Sequence, residues 1–259
     1  MQKLILLIAL ARATGVLAAP CENIIAPALA QAFPTAKLLE DQPSRFDLPG
    51  EMALHGKVLA CRTWPGNADL TLIAVALDLD NSYLEAPQAG LDILVVDSAN
   101  GALRARRHDA QLFAQRPDPS SYQFDAFDAA RYPLSPNQLA VGIRVSSGGH
   151  AWGEGSLRLY LRNDDKLDQI AELVTSEAQS FRGFGRNATS QCRDLLPDLL
   201  AAPDIQRTVA IGPASSHGLS DLIVSETRTP HTYALECRPG LRPVKTRYTI
   251  KFDGKRYVK

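Results

Sequence analysis

The run Leu91-Asp92-Ile93-Leu94-Val95-Val96 reaches the dipeptide Asn100-Gly101 and continues into Ala102-Leu103-Arg104-Ala105-Arg106. Asn-Gly between two such runs is the strongest short-range hairpin signal, because both residues tolerate positive φ. This stretch reads as two antiparallel strands, and its texture spreads in both directions along the chain. Upstream lie Val58-Leu59-Ala60-Cys61 and Leu70-Thr71-Leu72-Ile73-Ala74-Val75-Ala76-Leu77. Downstream, Leu139 opens a further run that breaks at Gly148-Gly149 and resumes over 156–162. There Leu157, Leu159 and Leu161 alternate with Arg158, Tyr160 and Arg162, the period of a strand with one wet face.

The pattern continues towards the C-terminus. Residues 168–181 read as a helix or two strands, with strands preferred, followed by 208–212, 221–225, a break at Pro230, and 247–252. Asp253-Gly254 turns the chain into a last short strand. Residues 113–136 carry several prolines and read as a long loop or edge crossing. Ahead of the strands, 21–39 reads as a short helix broken by Pro27 and Pro34, with a polar linker over 40–50. The expectation is a mainly β chain: one domain of short antiparallel strands, propeller-like or sandwich-like, at 57–259, preceded by an N-terminal helix and linker at 19–56.

Residues 1–18 have a different texture. Lys3 precedes the apolar run Leu4–Ala11, and Val16-Leu17-Ala18 ends in small residues, the layout of a secretory signal peptide cut after Ala18. Export to a bacterial periplasm follows, with no integral membrane segment expected after cleavage. Removing Lys3 and Arg12 takes the balance from 28 basic and 28 acidic residues to 26 against 28. Near neutrality with no long basic block argues against nucleic acid or an anionic membrane as partner. The short basic cluster Arg104–His108 reads as a solvated strand edge. Four cysteines in an exported chain read as two disulfides with three possible connectivities, of which the pairing of near neighbours, Cys21–Cys61 and Cys192–Cys237, is preferred. With no Cys-x-x-Cys and no His pair at ligand spacing, neither a metal nor another cofactor is expected.

Three loops carry candidate chemistry. Ser146–Gly155 surrounds His150, Trp152 and Glu154 with glycines: a flat aromatic anchor with two polar partners, or an acid/base pair. The alternative is a hairpin loop whose Trp152 packs back on the sheet. Ser215, Ser216 and His217, with Asp221 four residues on, hold the residue types of a nucleophilic triad but no nucleophile elbow. Asp221 reads more simply as a cap on the turn into its strand. Phe181–Arg186 interleaves rings and basic residues, and Asn187-Ala188-Thr189 fits a glycosylation acceptor.

Gly90-Leu91-Asp92 before one apolar strand echoes Gly218-Leu219-Ser220-Asp221 before another. In this feature the chain resembles degenerate FG-GAP or VCBS-type β repeats, and its closing segment 248–257 resembles the C-terminal strand pair of uncharacterised exported bacterial proteins. The resemblance implies propeller-like β units and a calcium loop, for which Asp78, Asp80 and Asn81 are the partial counterpart. Three functions stand as expectations. The first is a non-enzymatic periplasmic binding protein that engages a protein or envelope partner through His150, Trp152 and Glu154, in the manner of an inhibitor or immunity protein. The second is an envelope-acting hydrolase using His150 and Glu154, or Ser215 and His217. The third is a calcium-stabilised structural module.

Overall fold

The structure, a computed structural model, describes residues 21–39, 42–49, 54–79, 90–114, 121–149, 152–179, 202–238 and 240–259. The expected leader and Asn187-Ala188-Thr189 lie outside these residues, as do Phe181–Arg186. The chain is mainly β with a short N-terminal helix, α1 (Glu22–Ala32). Among the described residues sixteen strands follow: β1 (Lys37–Leu39), β2 (Gln42–Leu48), β3 (Leu54–Trp64), β4 (Asn67–Leu79), β5 (Gly90–Asp97), β6 (Leu103–Asp109), β7 (Leu112–Phe113) and β8 (Tyr122–Phe127). The remainder are β9 (Tyr132–Ser135), β10 (Gln138–Gly148), β11 (Trp152–Asn163), β12 (Lys166–Gln179), β13 (Asp204–Ser216), β14 (Leu219–Thr229), β15 (Val244–Phe252) and β16 (Tyr257–Val258). A short helix, α2 (Thr232–Cys237), precedes β15.

All sixteen strands join one mixed sheet that does not close. Its path runs β1-β2-β3-β4-β5-β6-β12-β11-β10-β8-β7, and it forks at β12. The near end of β12 meets β6 in parallel at Lys166↔Arg106, while its far end meets β13 at Ser176↔Gln206 and Glu177↔Ile205. From β13 the chain continues as an antiparallel meander through β14, β15 and β16.

The long apolar runs mark strands covered on both faces, which need no polar alternation. Leu72, Ala74 and Ala76 of β4 join Leu91, Ile93 and Val95 of β5 in packing against Val141, Ile143 and Val145 of β10. The opposite faces carry Ile73, Val75, Leu77, Leu94 and Val96, which pack on α1. A third layer sets Leu157 and Leu159 of β11 against Leu222 and Val224 of β14 and Ile250 of β15.

Helix α1 is not broken at Pro27, which lies inside it. Ile24, Ile25, Ala28, Leu29 and Ala32 form one buried stripe, and that burial outweighs the hydrogen bond lost at the proline. The helix ends before Pro34, as proline requires of its predecessor. The Cys21–Cys61 disulfide ties its start to β3. Cys237 is also disulfide-bonded, and Cys192, its expected partner, lies outside the described residues.

The β5–β6 turn forms where expected, with the Gly101 N–H donating to the Asp97 carbonyl at 2.9 Å. Only Gly101 takes positive φ there; the Asn100 side chain instead accepts from the Ala102 N–H at 2.8 Å. The turn lies on α1, so a Cβ at Gly101 would meet the Pro27 ring at 2.8 Å.

Several expectations change on inspection of the sheet. The 40–50 linker contains β2, whose Phe46 is fully buried over Gly56 of β3. The loop expected at 113–136 contains β8 and β9; Pro133 is tolerated because β9 pairs only with β10. Residues 166–179 form one long strand, β12, rather than two. Arg158 and Tyr160 do not line a wet face, since both are buried between the layers. The Arg104–His108 cluster is only partly a solvated edge. Arg106 holds the fully buried Asp92 through two hydrogen bonds of 2.9 and 3.0 Å and caps the end of α1 through the Ala32 carbonyl.

Candidate functional site

The glycine-rich segment around Trp152 is mostly strand. β10 and β11 pair as far as Gly148↔Gly153, so strand replaces most of the loop expected over 146–155, and His150 lies outside the described residues. Gly148 has φ +120°, and a Cβ there would collide with the Trp152 carbonyl, so this turn requires glycine. The Gly149 N–H closes it by donating to the Trp152 carbonyl at 3.0 Å.

Trp152 is 43% exposed at the start of β11. Alternation puts Trp152, Glu154, Ser156, Arg158 and Tyr160 on one face of β11. Polarity along this row changes from an exposed ring to a buried guanidinium. Glu154 accepts from the buried Ser156 hydroxyl at 3.2 Å and stands opposite Glu177 of β12. The Glu177 charge is taken by Arg207 of β13 at 2.6 Å, and Arg207 also holds Glu226 of β14. That bridging pins the fork of the sheet directly beside the Trp152 end.

Deeper along the row, the Arg158 side chain is 4% exposed and pairs with Asp109 at 2.8 Å and Glu172 at 3.1 Å. The Tyr122 ring covers it at 4.4 Å. Burial disfavours the Arg158 charge, but Glu172 and Asp109 outweigh it and hold the group above its ordinary value. Burial, reinforced by Glu172 and Glu154, pushes the Tyr122 phenol up. Burial and Asp109 push Tyr160 to about 12. Each shift moves its group further from titration near neutral pH. The Arg158 ion pairs order the base of the strand. The sequence hinted at Arg158 only through its place between Leu157 and Leu159; its carboxylate partners come from β6 and β12.

The other candidate residues sit differently. Ser215 and Ser216 are in β13, paired with Ser220 and Leu219 of β14. His217 takes the turn position at φ +50°, and its Nδ1 donates to the Phe252 carbonyl at 2.9 Å. In a triad that nitrogen would be held by the aspartate. Asp221 does not cap the turn: it lies within β14, 3% exposed, and among the described residues its Oδ1 has no hydrogen-bond partner. Asp78 of β4 stands opposite His55, and burial raises its carboxyl pKa against the pull of Lys57. Asp80 and Asn81 lie outside the described residues. Among the described residues no three His, Cys, Asp or Glu side chains gather as a metal site. His108 lies 3.6 Å from Asp92, and His55 2.7 Å from Asp47.

Two shallow clefts adjoin along β3, of about 340 Å³ beside Phe124 and Phe127 and about 470 Å³ beside Trp64 and Arg131. Arg62 lines both and donates to the Phe127 carbonyl at 3.3 Å. A third, of about 560 Å³, lies on the β13–β15 face. Among the described residues no helix is long and apolar enough to cross a membrane. Comparison with protein-family models, curated proteins and solved structures finds no match to this chain.

Proposed function

We propose that this chain is a non-catalytic, exported binding protein that engages a protein partner through the outer end of the β10–β11 hairpin. The observation that carries this reading is Trp152, 43% exposed at the end of a strand whose base is held by the buried Arg158–Asp109 ion pair. A large ring on a rigid support loses little conformational freedom on binding, which is why tryptophan dominates interface energetics. Glu154 adds an acceptor on the same face, and His150, expected as its partner, lies outside the described residues. The leader-like segment 1–18 and the Cys21–Cys61 disulfide support an oxidising, exported setting. An inhibitor of a secreted hydrolase is the concrete form of this reading.

The test is affinity capture from a periplasmic extract with wild-type protein and the Trp152→Ala variant. A stoichiometric partner of the wild type should bind the variant roughly 30-fold more weakly, the loss of about 2 kcal/mol expected of an interface anchor. A partner held equally by both proteins would rule out this surface.

A further inference from the structure

The sixteen-stranded sheet hides a charge asymmetry that net charge averages away. Residues 238–259 hold eight of the chain's 28 basic residues and one of its 28 acidic ones, leaving 20 against 27 elsewhere. Strand β15 sorts that charge by face. Tyr248, Ile250 and Phe252 turn to the core layer, while Lys245, Arg247, Thr249 and Lys251 alternate onto the outer face. The register brings Thr227, Ser225 and Ile223 of β14 beside Lys245, Arg247 and Thr249. The outer face is thus a row of cations interleaved with hydroxyls. Among the described residues Lys245, Arg247 and Lys251 form no ion pair.

At one end of this row the ladder opens. Ile211 pairs with Leu222 and Ser215 with Ser220, so Gly212, Pro213 and Ala214 of β13 oppose Asp221 alone. Pro213 has no N–H to give, and the resulting bulge borders the cleft of about 560 Å³. Asp221, Arg247, Thr249 and Lys251 line it. The echo between the two Gly-Asp strand starts now separates into two cases. Asp92 is buried with both oxygens held by Arg106, whereas Asp221 is buried with Oδ1 unpaired. A buried carboxylate oxygen without a donor is costly, and each such group in a native fold calls for a reason.

We propose that this cleft binds an acidic saccharide: its carboxylate, sulfate or phosphate groups meet Arg247 and Lys251, and a sugar hydroxyl donates to Asp221. The two requirements together select the class. Arg247 and Lys251, four residues apart along the strand and so roughly 13 Å, suit a ligand with repeated negative charge. A bare polyanion offers Asp221 no donor and adds repulsion, whereas a sugar supplies hydroxyls next to its acidic groups. Ile223 provides an apolar patch for a ring face, and Thr249 a further hydroxyl. This surface is separate from the Trp152 end, since β13 runs roughly 23 Å from Ile205 beside β12 to Gly212 at the cleft.

The experiment is calorimetric titration of the full mature chain with a panel of trigalacturonate, a sulfated and a phosphorylated oligosaccharide, with maltotriose and inorganic polyphosphate as controls. At least one acidic saccharide should bind, more weakly at higher salt, and maltotriose should not. Arg247→Ala and Lys251→Ala should each weaken binding tenfold or more. Both side chains are exposed, so an unchanged melting temperature verifies the fold. Asp221→Asn should weaken the saccharide while leaving polyphosphate no weaker, which separates hydroxyl recognition from mere charge. The proposal falls if no acidic saccharide in the panel binds, if the two cation variants bind normally, or if polyphosphate competes as an equal with the same response to Asp221→Asn. Trp152→Ala should leave this binding intact, so the two surfaces stand or fall separately.

Discussion

Replacing Cys21 and Cys61 together by alanine should destabilise the protein by about 4 kcal/mol. The bridge closes a span of 40 residues in the chain. Cross-linking a loop of that length removes roughly 13 cal/mol/K of entropy from the unfolded chain, about 4 kcal/mol at 25 °C. The span holds the whole of α1 and β1–β2, so without the bridge the helix relies on its buried stripe, the turn contacts of Gln31 and the Arg106 cap at Ala32. Reductant alone would not isolate the effect, because Cys237 is bridged as well. Urea unfolding of wild type and the double variant, both without reductant, measures the difference directly. The slope of stability against urea should also steepen in the variant, whose unfolded chain is less compact. A loss under about 1 kcal/mol with an unchanged slope would refute the argument that this bridge constrains the unfolded chain.

Two further outcomes follow from the buried charges. Arg158→Met strands Asp109 in the core and should cost about 3–5 kcal/mol in urea unfolding, with much of it restored by adding Asp109→Asn; a loss under 1 kcal/mol would mean the network is solvated. Burial pushes Asp128 up, but hydrogen bonds from Tyr132 and the Ala130 N–H, with Arg144 beside it, hold its carboxyl below the usual value. A depressed folded-state pKa stabilises above the unfolded value of about 3.9 and is lost as pH falls through the folded one. Asp128→Asn should therefore flatten the acid limb of stability below about pH 4, measured by thermal melts across pH 2–6, and an unaltered limb would contradict it.

The parts of the fold that could be read in advance are those decided by near neighbours in the chain. Asn100-Gly101 forms its turn because Gly101 alone must take positive φ and the Asn100 amide closes on Ala102 two residues away. Strands β4, β5, β14 and β15 follow local runs of β-forming residues, and the Cys21–Cys61 bridge joins cysteines near in sequence. Local rules erred where burial intervened. Pro27 stays within α1 because five apolar residues on one stripe find a sheet to cover them. Arg158 and Tyr160 alternate as a wet face would, yet the β4–β6 layer covers them.

Trp152 and Glu154 were legible as candidates from their glycine setting, but exposure and shared face depend on where β11 begins and on the fork at β12. The chain by itself determined a β-rich fold with an N-terminal helix, a neutral overall charge and a disulfide, all properties of composition or of residues close in sequence. Only tertiary structure decided that β6 meets β12, that Lys245, Arg247 and Lys251 share the outer face of β15, and that Asp221 is buried beside Lys251 with no donor to its Oδ1 among the described residues. Those features depend on strands brought together over long chain separations, where hydrophobic burial sets the register and the polar groups must accept the neighbours it imposes.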